Sequence, residues 1–116
     1  MESKTKRTLV KSAPELWELA DDLARMEEWM AGVVGRSQSV SVEVTHRQPE
    51  RMLAWRTSGT ETGRARIALE LAEKGFGTSV SIVAQHSRPN PCDVHAALEQ
   101  LLDELGSPER RPFERA

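Results

Sequence analysis

The chain contains a single cysteine, Cys92, so it can close no internal disulfide and offers no multi-cysteine metal site. A lone thiol suits a reducing compartment, and the cytoplasm is the expected location. Tyrosine is absent and phenylalanine occurs only twice, so the aromatic surface rests mainly on Trp17, Trp29 and Trp55. No apolar run approaches the ~20 residues that a membrane-spanning helix needs. No apolar segment follows Met1-Glu2-Ser3-Lys4 either, so neither a membrane span nor a secretory leader is expected. Neither sign of charge dominates. The formal net charge is −2 with both signs interspersed, which argues against a nucleic-acid binder that relies on bulk electrostatics. A glycine-rich phosphate loop between strand and helix is missing, as are a serine nucleophile elbow and paired carboxylates on one inward face. Hence no cofactor and no metal are expected.

What the sequence does contain is periodicity. With 116 residues, of which 38% are hydrophobic and 29% charged, it reads as one globular α+β domain over 1–106 with a charged tail over 107–116. Residues 5–12 carry the β-formers Thr8 and Val10 and predict a first strand. Ser12 and Glu15 have the spacing of a capping box with Pro14 in the first turn, so a helix starts here. Leu16, Leu19, Ala20 and Leu23 recur at helical spacing. Asp21-Asp22 splits the segment into helices over 13–22 and 23–31, the second closed by Gly32 with Gly35 just beyond.

Four strands follow, bounded by turns at Gln48-Pro49-Glu50, Ser58-Gly59-Thr60 and Lys74-Gly75-Phe76-Gly77. Alternation places Val40, Val42, Val44, Leu53, Trp55, Ile67, Leu69, Leu71, Val80 and Ile82 on one apolar face. Pro89 and Pro91 break the chain. Val94, Leu98, Leu101 and Leu105 then form the stripe of a last helix, which ends at Gly106-Ser107-Pro108. A sheet with one apolar face must cover it, and the last helix is the long amphipathic element available. The expected order is β-α-α-β-β-β-β-α, an antiparallel sheet of about five strands wrapped around the C-terminal helix.

Several local motifs resemble one family. The Ser12-Ala13-Pro14 to Trp17 to Asp21 helix, the Glu28-Trp29-Met30 end of the second helix, Pro49-Glu50-Arg51-Met52 to Trp55, and Gly77-Thr78-Ser79-Val80 are similar to motifs of the START-like (SRPBCC) superfamily. That is the helix-grip fold of polyketide cyclases, lipid-transfer domains and birch-pollen-allergen proteins. The resemblance spans about residues 5–105. It implies a small hydrophobic ligand held between sheet and last helix, with polyketide cyclase- or aromatase-like chemistry if the protein is an enzyme. One departure stands out: the family places two more strands where this chain has only residues 31–38. The sheet is therefore expected to be short, with a smaller cavity or an open edge through which a homodimer could form. A non-enzymatic interaction module with a filled core is the alternative reading.

The expected ligand-binding residues are Trp17, Met26, Trp29, Met30, Trp55, Ile67, Leu69, Ile82 and Leu98, because aromatic and thioether linings suit flat apolar ligands. The same side chains would equally serve as core in so small a domain. His86 shares the parity of Val80, Ile82 and Ala84, which makes it the catalytic candidate for proton transfer. A strand-end histidine in partial solvent, or one bonded to the backbone, is the plain alternative. Arg56, Arg64 and Arg66 fall on the polar face with Glu43 and Glu70, where cross-strand ion pairs explain them. Cys92, Asp93 and His95 open the last helix, but two ligand types three residues apart do not make a metal site. His46 is expected at an exposed strand end.

Overall fold

The computed structural model describes residues 2–35, 40–58, 65–86 and 91–106. In chain order these form β1 (Glu2–Leu9), α1 (Ala13–Ala20), α2 (Leu23–Val34), β2 (Val42–Gln48), β3 (Met52–Thr57), β4 (Arg66–Lys74), β5 (Gly77–Gln85) and α3 (Pro91–Gly106). The five strands make one antiparallel sheet in the order β1-β5-β4-β3-β2. Strands β2 to β5 are thus a meander, and β1 is laid along the outer edge of β5.

Register explains the core. Trp55 lies opposite Ile67, which lies opposite Ala84, and Leu53, Leu69 and Ile82 form the next row. All six are fully buried on the face that receives the helices. From above, α3 supplies Val94, Leu98, Leu101, Leu102 and Leu105, all withdrawn from water. Each such side chain contributes at most about 2–3 kcal/mol on an extended-chain reference. Helix α2 packs beside α3 and closes the rest of the sheet with Met26, Trp29, Met30 and Val33.

The capping box is formed: the Glu15 amide donates to Ser12 Oγ at 3.4 Å, and the Ser12 amide donates to Glu15 Oε1 at 3.2 Å. Two backbone donors of the first turn are thereby satisfied. These bonds from Ser12 also hold the Glu15 carboxyl below its ordinary range. The break at Asp21-Asp22 is real, with Asp22 capping α2 through Oδ1, which accepts from the Ala24 amide at 3.0 Å.

Four boundaries differ from expectation. The first strand runs over Glu2–Leu9 rather than 5–12, leaving Val10 exposed, because the inward residues of β1 are polar and find partners instead of apolar neighbours. Helix α2 continues through Gly32 to Val34 and ends at Gly35 in the left-handed region. Gly32 faces α3, where a Cβ on it would meet Ala97 Cβ at 3.4 Å, a close but ordinary contact. Strand β2 starts at Val42, although Val40 is buried and its amide reaches the Glu27 carbonyl at 3.4 Å. Its pairing with β3 shifts between Val44 and His46, a bulge that carries the strand on to Gln48. Finally, β4 and β5 reach Lys74 and Gly77, so only Gly75-Phe76 remains as a two-residue hairpin loop. Gly59, Thr60, Arg64 and the tail 107–116 lie outside the described residues.

Candidate functional site

The space between sheet and helices is walled by the residues that the sequence nominates. Met26, Trp29 and Met30 fall at i, i+3 and i+4, so α2 presents all three on one side. They meet Trp55, Ile67, Leu69 and Ile82 from the sheet and Leu98 from α3 in a single buried cluster. Trp29 and Trp55 are the centre of it, with ring centroids 6.1 Å apart and planes tilted by 37°. Trp17 is half-buried on α1 and packs only against the edge of this cluster. The eight central side chains are 0–5% exposed, so in this conformation they fill the space themselves. A ligand can enter only by displacing them.

Polar groups punctuate the apolar wall. The Trp29 indole donates to Glu104 Oε1 of α3 at 3.3 Å. The Trp55 indole does not fare so well: its Nε1 is buried and has no hydrogen-bond partner among the described residues. Two residues further along β3, Thr57 is buried and its hydroxyl accepts from the Ala65 amide at 3.3 Å. At the same end of the sheet, His86 is 5% exposed and its Nε2 lies 2.9 Å from Ser3 Oγ. The catalytic candidate is thus neither in partial solvent nor at a frayed strand end; it is enclosed and paired with a hydroxyl. Ser3 falls outside the strand expected over residues 5–12, so parity does not nominate it. Only the pairing of β1 with β5, which sets Ser3 opposite Ala84, brings it to His86.

A second polar group joins β1 to α3. Arg7 Nη2 lies 2.5 Å from Glu99 Oε1 and Arg7 Nη1 lies 2.6 Å from Asp103 Oδ1. The Thr5 hydroxyl donates to Glu99 Oε2. The bond to Asp103, followed by that to Glu99, raises the Arg7 guanidinium above its ordinary value against the cost of desolvation. Bonds from Thr5 and then Arg7 hold the Glu99 carboxyl below its ordinary value. His95, exposed on the same side of α3, stands 3.8 Å from Glu99 Oε2. Cys92 and Asp93 are exposed at the start of α3, and among the described residues no three His, Cys, Asp or Glu side chains gather as a cation site. On the outer face, Arg56 and Glu43 form the expected cross-strand pair at 2.8 Å, Arg66 is exposed opposite Arg56, and His46 is exposed beside the bulge. No helix among the described residues is long and apolar enough to cross a membrane.

No protein-family model matches this chain, and no curated protein sequence matches it. Solved structures do. The Aha1 dimer from Colwellia psychrerythraea superposes with a TM-score of 0.66 at 16% identity, over 91% of this chain and 96% of that one. CalU16 from Micromonospora echinospora gives a TM-score of 0.68 at 19% identity, over 90% and 71%. DynU16, a protein of the dynemicin biosynthetic locus, gives 0.63 at 17% identity, over 90% of this chain but only 45% of that one. This is the helix-grip fold. At these identities the likeness carries architecture and no residue roles, and the expected sheet of five strands around a C-terminal helix stands.

Proposed function

We propose that the chain binds a small, mostly apolar molecule between the sheet and helices α2 and α3. The carrying observation is the make-up of the inner wall. The Trp29–Trp55 pair presents flat aromatic surface, and α2 adds two thioethers, Met26 and Met30, beside Val33. Methionine re-packs at low cost, so such a wall can part and close again around a guest. The likeness to a protein of the dynemicin biosynthetic locus is support by analogy of fold alone. Trp17 on α1, half-buried against the same cluster, would be the outermost contact of a guest. Chemistry of the polyketide cyclase kind would use His86 as the proton carrier, with the Ser3 hydroxyl orienting its ring.

The test is a titration with N-phenyl-1-naphthylamine, a probe that brightens in apolar surroundings. Saturable one-to-one binding with a change in tryptophan emission is expected. Ala84→Leu, which adds bulk beside Ile67 in the same row, should block the probe while the thermal transition stays cooperative. Probe fluorescence that rises without saturating, in a protein that remains folded, rejects the reading.

A second reading has its own support. Strand β2 ends the sheet with one unpaired edge, and Thr45 to Gln48 are exposed along it. A homodimer could cover this edge, and Aha1 was solved as a dimer. Light scattering across a hundredfold range of concentration separates the readings: a constant monomer mass removes the edge-paired dimer.

A further inference from the structure

Among the described residues two buried side-chain polar atoms have no hydrogen-bond partner, Ser79 Oγ and the indole N–H of Trp55, and only the second lies in the inner wall. Its side chain is fully buried, yet the donor has no partner among the described residues. A buried donor left unmade keeps the full cost of its lost hydration, and buried tryptophans ordinarily find an acceptor. Trp29, six ångströms away in the same cluster, does so through Glu104. Trp55 is flanked on the neighbouring strands by Val44 and Ile67 and faced by the Trp29 ring. None of these gives a water molecule the two to four polar partners that would hold it in place. A phenylalanine would supply flat apolar surface here without the stranded donor.

We infer that the Trp55 N–H is a specificity determinant, and that the guest carries an uncharged hydrogen-bond acceptor, such as the carbonyl of a flat aromatic ketone, which this donor receives. The inference rests on the binding reading above and narrows its substrate class. In the complex the acceptor oxygen sits ~2.9 Å from Nε1, and the aromatic body replaces the packed thioethers against the Trp29–Trp55 pair. An anionic acceptor is disfavoured, because Val44, Ile67 and Trp29 beside the indole bring no cation to compensate its charge. Discrimination works in the strong direction: an analogue without the acceptor leaves the buried donor unpaired in the complex.

The experiment compares 2-acetylnaphthalene with 2-ethylnaphthalene, near-isosteric probes that differ in the carbonyl. Affinities for both are measured by displacement of N-phenyl-1-naphthylamine from the wild type and from Trp55→Phe. The ratio of the two dissociation constants should change by about tenfold in disfavour of the ketone in the variant, the fold-change of one lost hydrogen bond. This ratio cancels the greater intrinsic hydrophobicity of the hydrocarbon. Should Trp55→Phe fail to fold, the wild type alone still decides. The ketone must move the Trp55 indole N–H resonance downfield in a ¹⁵N-correlated spectrum, while the hydrocarbon leaves it nearly in place. Equal ratios in the two proteins, or an indole resonance indifferent to the ketone, overturn the inference and leave apolar binding standing. If the dye itself does not bind saturably, the binding reading falls and this inference falls with it; if the dye binds and neither probe displaces it, the inference alone is overturned.

Discussion

Arg7 Nη2 lies 2.5 Å from Glu99 Oε1, joining the first strand to the last helix between residues 92 positions apart. The same carboxylate accepts from the Thr5 hydroxyl, and this bond is the first cause of its depressed pKa. A group whose folded pKa is lowered contributes stability that is present above its unfolded value and lost as pH falls through the folded one. The stability difference between the wild type and Glu99→Gln should therefore be full at pH 7 and shrink as pH drops below the ordinary 4.5. Arg7, raised above its ordinary value by the bonds to Asp103 and Glu99, keeps its charge throughout that range. Thermal melts of both proteins at pH 7 and pH 3 check this; a difference of the same size at both values refutes it.

Gly77 and Gly75 flank the same hairpin but answer to different constraints. A Cβ on Gly77 would lie 2.0 Å from the Leu9 carbonyl oxygen, a backbone atom of the paired strand, so β1 and β5 would have to part. Gly77→Ala should cost about 1–3 kcal/mol or more. Gly75 has φ +58° and open space around it, so Gly75→Ala should cost about 1 kcal/mol through backbone conformation alone. Urea midpoints at unchanged m-value rank the two. A Gly77 variant no worse than the Gly75 variant would show that the close approach at Leu9 is relaxed in solution.

Glu50 has φ 63° in a turn closed by the Arg51 amide donating to the Gln48 carbonyl at 2.9 Å. Pro49 before it and the positive φ make this a type II turn, whose third position favours glycine. Glu50→Gly should raise stability by roughly 0.5–1 kcal/mol, since relief of the left-handed penalty exceeds the extra freedom of the unfolded chain. A lower denaturation midpoint in this variant would mean that the Glu50 side chain makes compensating interactions.

The Ser3–His86 pair should show up as coupling. Ser3→Ala is expected to cost about 1 kcal/mol, and His86→Ala about 2–4 kcal/mol through the lost volume and the stranded hydroxyl. In a double-mutant cycle the two should be non-additive by about 1 kcal/mol. Additive losses would place the hydrogen bond outside the folded state's energetics. If the chain is also an enzyme of the cyclase kind, His86→Ala should abolish turnover while affinity for the guest persists.

Sheet and helix identity were legible wherever apolar residues alternate or recur against a common core. Strand β3, with Leu53 and Trp55 inward, falls between the turns expected at Gln48-Pro49-Glu50 and Ser58-Gly59-Thr60 for this reason. Strand β1 was misplaced because Ser3, Thr5 and Arg7 point inward and are satisfied by His86, Glu99 and Asp103, partners more than eighty residues away. Gly32 was read as a helix stop because a glycine that ends a helix and one that faces a second helix look alike in one dimension. The nominated lining residues were brought together, apart from Trp17 at the margin. The orphan donor on Trp55 was beyond reach, since it depends on what every neighbouring chain segment fails to offer.

The first strand in sequence is hydrogen-bonded to the last, Ser3 opposite Ala84, while β2 to β5 each join the next through a local connection. Closing a loop of about eighty residues costs roughly 2–3 kcal/mol more entropy than closing a short turn. The meander can therefore assemble first, and β1 docks onto a β5 edge already in place. Interactions made by β1, the Arg7 clasp and the Ser3–His86 bond among them, are then expected to form after the rate-limiting barrier, which chevron kinetics of Ser3→Ala would check. Weakening them should speed unfolding while leaving the folding rate almost unchanged, which would put control of the native state's kinetic lifetime at the strand that arrives last.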